Sequence, residues 1–251
     1  MKPIRSSVFV ICLMVSGLIP AAHAACEDPP ARGVIWVDCD KSDLNLSGVD
    51  LRGAILTRSD FSRSDLSQAR LSGADMNFTK LESAILNKAR MDKARLLGAE
   101  LSNSQIQTAL LQEATLDRAH LDHANLAGSD FDRASFYQAT LTQANFEGAR
   151  MRGAKLSQAD LTGANLHLVD ASNADLSEAI LENAILTDAK LVDASLDKAS
   201  LLFADFRDAD LSKASLVDAN LYNTRMEGSR LGDAYWIDGR RCRKGSTGKC
   251  Q

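Results

Sequence analysis

The stretch ADLTGANLHLVDASNADLSEAIL, residues 159–181, decides the fold of this 251-residue chain. A large apolar residue occupies every fifth position of the stretch except at Ala171, and the same spacing runs from Leu46 to Trp236. Of the 39 positions counted in fives between these two residues, 38 hold Leu, Ile, Phe, Met or Trp. Two residues before them, 29 of 39 positions hold Ala. The chain is therefore an uninterrupted array of five-residue repeats.

A period of five residues excludes an α-helical array. An α-helix turns about 100° per residue, so successive large residues would lie about 140° apart and form no apolar stripe. In extended backbone, residues i−2 and i point to the same side, and two further residues can turn a corner. Each repeat is predicted to be a short strand and a bend, with the small and the large residue directed inwards. Since one repeat cannot bury a core alone, the repeats must coil and stack.

The inward large residues form the predicted core. Burial of each contributes about 1.5–3 kcal/mol, and Ala two positions earlier leaves room for it in a narrow channel. At Ala171 the missing side chain is nearly compensated by Val169, where Ala is usual; the alternative is a small lateral pocket. Eight leucines along the array represent this core: Leu46, Leu66, Leu86, Leu121, Leu141, Leu161, Leu181 and Leu211.

Several segments match the repeat of a known family. ADLTGANL, ADLSEAIL, ADLSKASL and ANLAGSDF resemble the A(D/N)LXX consensus of pentapeptide repeat proteins, and the resemblance covers residues 44–238. It implies an all-β fold, a right-handed quadrilateral β-helix with four repeats in each coil. With a strand spacing of about 4.8 Å, this array would form about ten coils and a rod roughly 47 Å long.

The rod length that the resemblance implies also pairs the four cysteines that flank the repeats. Cys26 and Cys39 precede the array, and Cys242 and Cys250 follow it. Ends so far apart cannot be bridged, so the predicted disulfides are Cys26–Cys39 and Cys242–Cys250.

Each disulfide is expected to close a cap over an open end of the solenoid. The N-terminal cap is assigned to residues 25–43 and the C-terminal cap to residues 239–251. Three apolar residues at each end are expected to cover the neighbouring coil: Val34, Ile35 and Trp36 at the first, and Tyr235, Trp236 and Ile237 at the last.

Residues 1–24 are predicted to be a cleavable signal peptide, because a basic start precedes a short apolar segment and the small-residue sequence AAHAA. A membrane anchor is the first alternative, disfavoured by the length of the apolar segment. A lipid on Cys26 is the second, disfavoured by His23 where an aliphatic residue is usual. The predicted localisation is periplasmic or secreted, without stable membrane insertion after cleavage. An even number of cysteines in the remaining chain suits an oxidising compartment.

The charge of the processed chain gives little support to a nucleic-acid partner. Removal of residues 1–24 leaves 27 basic and 33 acidic side chains, a mild net charge of −6. This charge offers no polyanion-binding surface, and basic residues are not interleaved with aromatic ones as single-stranded nucleic acid requires.

An outward column with a spacing of twenty residues bears on one role known in the family. Family members that protect DNA gyrase resemble DNA through an extended negative surface. Here the last six members of the column alternate in sign, which avoids repulsion between stacked like charges and interrupts any acidic surface. A DNA mimic is therefore disfavoured. The ten members of the column are Asp50, Arg70, Arg90, Leu110, Asp130, Arg150, Asp170, Lys190, Asp210 and Arg230.

The sequence predicts no catalytic site and no cofactor. A rod with flat walls offers few concave, water-excluding sites, and no insertion breaks the rhythm between residues 46 and 236. His120 and His123 would diverge in extended chain and lack further metal ligands, so no metal site is predicted.

Outward apolar residues in the C-terminal half form the candidate interface: Ile180, Ile185, Leu202, Phe203 and Tyr222. Leu202 and Tyr222 lie twenty residues apart and are expected to stack, and a contiguous apolar patch often marks an interface. The predicted function is a protein-binding or scaffold module that acts through its outer faces, including a homodimer formed through this half. The partner is not identified. The alternative is a secreted effector or inhibitor of a macromolecular target in another cell.

Overall fold

The computed structural model describes residues 26–251, and the predicted signal peptide, residues 1–24, lies outside the described residues. Each strand is so short that it forms a single parallel β-bridge to the coil on either side. The bridges join residues twenty positions apart, from Ile35 with Ile55 to Ser215 with Tyr235. Four five-residue repeats therefore make one coil. The ladder begins at Ile35, inside the segment assigned to the N-terminal cap.

Neighbouring coils are joined by backbone hydrogen bonds in both directions. Leu121 N donates to Thr140 O at 2.8 Å, and His123 N donates to Thr142 O at 2.9 Å, both in the next coil. Asn125 N donates to Ser104 O of the preceding coil at 2.9 Å. Each coil thus completes the hydrogen bonds of its neighbours, as a solenoid requires.

A tight turn follows each large residue. Ala124 N donates to Leu121 O at 3.0 Å across one such turn. The second turn residue has a positive φ whether or not it is glycine: φ is 59° at Lys198 and 58° at Phe203. Left-handed backbone costs a residue with a side chain about 1–2 kcal/mol, so the stacking of coils overrides a local preference at these corners.

The four sides of the rod are named here as faces. Face 1 contains residues 34–36, face 2 residues 39–41, face 3 residues 44–46 and face 4 residues 49–51, each with the segments that follow at intervals of twenty residues. The corners between faces are the two-residue turns.

The core fills the rod from end to end. All eight leucines named above are at most 5% exposed. Near the middle, Phe131, Phe136 and Phe146 pack edge to face, with ring centroids 5.3–6.2 Å apart. Val169 and Ala171 are both buried, and Ala171 N still donates to Lys190 O at 2.8 Å. The ladder therefore continues unbroken through the exchanged pair.

The N-terminal end contains the predicted Cys26–Cys39 disulfide, with Cα atoms 5.5 Å apart. Val34 and Trp36 are buried as expected, but Ile35 is 49% exposed and does not cover the coil. Ile35 occupies the outward bridge position, and the residues on either side of it point inwards. The expectation for Ile35 was wrong because the two-residue alternation of a strand continues into this segment.

The C-terminal end contains the predicted Cys242–Cys250 disulfide, with Cα atoms 5.0 Å apart. Residues 239–251, the tail, turn back and pair antiparallel with the last coil through bridges Tyr235 to Arg241 and Arg230 to Thr247.

The expected cover of the last coil was wrong for two of its three residues. Tyr235 and Ile237 are exposed, because they occupy an outward position and a turn position, and Trp236 is half-buried. Cys242, which is 2% exposed, belongs to the core at this end instead. Among residues 26–251, nothing forms a helix with the length and apolarity needed to span a bilayer.

Candidate interaction surfaces

The predicted interface residues converge on one corner of the rod, between faces 2 and 3. Phe203 and Tyr222 lie on this corner and are 50% and 63% exposed, and Leu202 beside them is half-buried. Ile180 on face 2 and Ile185 on face 3 flank the corner and are also exposed. These five residues are called the apolar corner patch.

The patch is ordered by coil-to-coil contacts. Phe203 N donates to Tyr222 O at 3.0 Å, and the two rings meet edge to face with centroids 5.9 Å apart. The patch thus contains an aromatic contact between Phe203 and Tyr222 that the sequence analysis did not identify. The stacking of Leu202 on Tyr222 stays a prediction. The spacing of twenty residues identifies backbone neighbours, but it does not determine which turn side chains touch.

The four positions that precede Ile185 in its column on face 3, from Gln105 to Asn165, are polar. Asn165 Nδ2 donates to Asn145 Oδ1 at 3.0 Å, and Asn145 Nδ2 donates to Asn125 Oδ1 at 3.3 Å. These side chains satisfy one another along three coils. The change from amides to Ile185 on the same column marks one border of the apolar surface.

The charged column on face 4 stacks in the predicted order, with each member bridged to the next. Arg150 Nη1 lies 3.2 Å from Asp130 Oδ2, and Arg230 Nη2 lies 2.9 Å from Asp210 Oδ2. Face 4 therefore presents paired charges instead of a continuous acidic stripe.

Asp132, at the corner beside this column, is the most enclosed carboxylate of the network. Its side chain is 9% exposed and accepts hydrogen bonds from Arg150 at 2.6 Å and from Arg152. Burial alone would raise the pKa of Asp132, but the hydrogen bonds from Arg152 and Arg150 outweigh burial and lower it. At Asp50 the hydrogen bond from Arg52 similarly lowers the pKa to about 2. These are structural ion pairs and not acid–base catalysts with pKa values near neutrality.

The two neighbouring histidines have different surroundings. His120 Nδ1 lies 3.0 Å from Thr140 Oγ1, and Thr140 in turn donates to Asp122 at 3.0 Å. His123 lies at the turn position beside Asp122 and is exposed. Within residues 26–251 no three His, Cys, Asp or Glu side chains are arranged to hold a metal ion.

The structure adds one concave site, which sequence analysis missed. A groove of about 430 Å³ lies at the C-terminal end of the rod, beside the tail. Leu221, Met226 and Trp236 supply its apolar wall, and Glu227 and Lys249 supply its charged groups. The length of the tail is the sequence feature that could have indicated this groove. Thirteen residues cannot form a coil of twenty and must leave part of the last coil uncovered.

Short parallel strands, four to a coil, define the class of β-solenoid proteins built from five-residue repeats. The pentapeptide repeats family model matches the chain in eight copies, and the matched residues include 45–77, 74–112, 109–148, 149–188, 164–201 and 189–228. The chain belongs to the pentapeptide repeat family, and its fold is a right-handed quadrilateral β-helix. No curated protein sequence gives a significant match.

Two solved structures illustrate the likeness. HetL, a pentapeptide repeat protein involved in heterocyst differentiation regulation from the cyanobacterium Nostoc sp. strain PCC 7120, is 29% identical with a TM-score of 0.60. The match covers 80% of this chain and 94% of HetL. QnrB1, a plasmid-mediated fluoroquinolone resistance protein, is 15% identical with a TM-score of 0.48, over 79% of this chain and 92% of QnrB1.

Proposed function

We propose that this protein is an exported, non-enzymatic binding module, which holds a protein partner against the apolar corner patch. The observation that carries this proposal is the contiguous exposure of Ile180, Ile185, Phe203 and Tyr222 at one corner of a rod whose other columns are largely polar. Aromatic residues are enriched at interface centres, and an apolar patch with a polar border is typical of a protein-binding surface.

Two features support action outside the cytoplasm. The four described cysteines form two disulfides, one at each end of the rod, and such bonds persist in oxidising compartments. The signal-like sequence of residues 1–24 agrees with this location. The module would therefore act in the periplasm or outside the cell.

A pull-down from an envelope extract tests the binding role. The processed wild-type protein is the bait, and a Leu202→Asp, Phe203→Asp variant replaces the centre of the patch by charge. The wild type should capture one or more proteins in constant proportion to the bait, and the variant should lose them. The matched control is Ser172→Asp, Asn173→Asp on the opposite corner, which adds the same charge and should retain the partner. Equal capture by all three baits would contradict the proposal.

The alternative function is a secreted effector or inhibitor of a macromolecular target. Similarity to HetL, a protein involved in regulation, supports this form of action. Cell fractionation separates the two: an envelope scaffold is retained, and an effector accumulates in the culture supernatant. The paired charges of face 4 argue against inhibition by mimicry of DNA, which needs continuous negative charge.

A further inference from the structure

Each end of the rod is only half covered. At the N-terminal end, residues 26–33 cross over faces 1 and 2, where Asp28 O accepts a hydrogen bond from Trp36 Nε1 at 3.2 Å and Cys26 is bonded to Cys39. Among the described residues, nothing crosses over faces 3 and 4. Leu44 on face 3 is 42% exposed although it stands at an inward position, and Val49 on face 4 is half-buried.

The C-terminal end is half covered on a different pair of faces. The tail closes face 4, where Leu231 N donates to Ser246 O at 2.9 Å, and face 1, where Cys242 N donates to Ala234 O at 2.8 Å. Among the described residues, face 2 of the last coil is open and face 3 is covered only in part, where Gly248 of the tail lies beside Met226. The groove lies over these two faces.

The open part of the last coil has unpaired backbone. One coil earlier, Leu201 N donates to Asn220 O at 2.9 Å and Phe206 N donates to Arg225 O at 2.7 Å. The equivalent amides of Leu221 and Met226 find no backbone acceptor within residues 26–251. An unpaired strand edge beside apolar side chains is a template for pairing with another chain.

The two ends have complementary shapes. If a second copy is placed on the C-terminal end and rotated by one face, its faces 1 and 2 lie over faces 2 and 3 of the first copy. The covering segment, residues 26–33, then enters the groove. The open faces 3 and 4 of the second copy lie over the tail of the first. A rotation of a quarter turn therefore places the covered half of each end against the open half of the other.

The two ends also carry opposite charge. Residues 26–50 contain six acidic and two basic side chains, whereas residues 239–251 contain five basic side chains and no acidic one. Arg243, Lys244 and Lys249 of the tail are exposed and have no carboxylate within 4.0 Å among the described residues. Charge of opposite sign on the two surfaces favours association of one end with the other and opposes pairing of like ends.

We propose that the C-terminal groove and tail bind the N-terminal end of a second copy of this chain, so that rods join head to tail along their common axis. Such a contact is heterologous and does not close, so it produces a series of chain lengths instead of a single dimer. It uses the ends of the rod and leaves the apolar corner patch free. The proposal concerns the processed N-terminus and in this respect rests on the export proposed above.

Sedimentation velocity of the processed protein tests the association. We expect species that lengthen with concentration at about 0.01 M salt, where charges interact over about 30 Å, and dissociate at about 1 M salt, where the range is about 3 Å. A monomer at all concentrations and low salt would overturn the proposal. Mass spectrometry of the processed N-terminus reports separately on export.

Charge-reversal variants test whether the C-terminal end of one copy meets the N-terminal end of another. A C-end variant carries Arg243→Glu, Lys244→Glu and Lys249→Glu, and an N-end variant carries Glu27→Lys and Asp28→Lys. Each variant alone should associate about tenfold or more weakly than wild type, because the opposite charge of its two ends has been removed: the net side-chain charge of residues 26–50 rises from −4 to 0 in the N-end variant, and that of residues 239–251 falls from +5 to −1 in the C-end variant. An equimolar mixture should recover association, because the unaltered C-terminal end of the N-end variant can meet the unaltered N-terminal end of the C-end variant.

A matched control replaces three exposed lysines on the sides of the rod: Lys88→Glu, Lys198→Glu and Lys213→Glu. This control should assemble as the wild type does. Circular dichroism and thermal unfolding verify that every variant is folded. Weakening by the control as large as that of the C-end variant, or a mixture that stays monomeric, would overturn the assignment of the ends.

Discussion

The coils at residues 121–140 and 221–240 follow the same repeat, yet their inward side chains differ in burial. Leu121 and Leu126 are fully buried, whereas Leu221 at the equivalent position of the last coil is half-buried and Met226 is 7% exposed. The difference arises because the middle coil has a neighbour on both sides and the last coil has a tail over only two faces. The repeat determines whether a side chain points inwards, but the burial of that side chain depends on whether another coil or the tail packs over it.

The largest expected effect is on core packing. Leu121→Ala should lower the free energy of unfolding by about 2–5 kcal/mol, because it opens a cavity that both neighbouring coils enclose. Leu221→Ala should cost about 1 kcal/mol or less, since its side chain is already partly hydrated. Denaturant unfolding followed by circular dichroism measures both. Similar losses at the two sites would show that the last coil is covered in solution.

Removal of the C-terminal disulfide should have a smaller effect, confined to one end. Cys242→Ser with Cys250→Ser should reduce stability by about 2–3 kcal/mol, as expected for closure of a short loop. Hydrogen exchange should accelerate at the amides of Leu231 and Trp236, which bond to residues of the tail. The amide of Leu121 serves as the internal control. Equal acceleration there would mean that the rod unfolds as one unit.

Asp132 gives the middle of the rod a pH dependence. Its pKa in the folded protein is below that of the unfolded chain, about 3.9. Stability from this group is therefore fully present above about pH 4 and is lost as the pH falls through the lowered pKa. Asp132→Asn should cost about 1–2 kcal/mol at pH 6, because Arg150 and Arg152 lose a charged acceptor.

Thermal unfolding from pH 6 to pH 2 measures this dependence. The difference between the wild type and Asp132→Asn should narrow towards the acidic end, as the carboxylate becomes protonated. Asp238→Asn at the C-terminal end is the control, because Asp238 is exposed, and its profile should follow the wild type. A constant difference between wild type and Asp132→Asn at all pH values would show that titration of Asp132 is not involved.

The smallest expected effect concerns backbone strain at the corners, and it should be the same inside the rod and near its C-terminal end. Lys88 and Lys213 have φ of 60° and 61° at equivalent turn positions. Lys→Gly at either site should stabilise the protein by up to about 1 kcal/mol, because glycine adopts a positive φ without strain. Part of this gain is lost because glycine increases the conformational entropy of the unfolded chain. Lys→Ala is the control and should give no gain. A stabilisation at only one site would show that the backbone strain at a corner depends on how near the corner lies to an end of the rod.

Much of the fold could be predicted because its determinants are local and repeated. The five-residue period predicted the inward positions and both disulfides once the rod was assumed, and the structure contains them. Ile35, Tyr235 and Ile237 were assigned to the caps because they are apolar, although their phase in the repeat directs them outwards. At these positions periodicity is a better guide than hydrophobicity.

The candidate surfaces were predicted only in part. The apolar corner patch was visible in the sequence because outward residues twenty positions apart must neighbour one another. The contact between Phe203 and Tyr222 was missed because rotamers at a corner depend on the neighbouring turns. The groove was missed because Leu221, Trp236 and Lys249 come together through the reversed path of the tail.

The sequence by itself determined the period and the direction of each side chain in the array, since alternation in extended backbone and burial of one large residue in five direct two positions of each repeat inwards. Four repeats in each coil were implied by the resemblance to the family, and the bridges between residues twenty positions apart establish that register. Only the tertiary structure decided which faces the two terminal segments cover. Those segments have no repeat, and their paths depend on the disulfides Cys26–Cys39 and Cys242–Cys250 and on contacts with the terminal coils. The uncovered half of each end is a consequence of those paths.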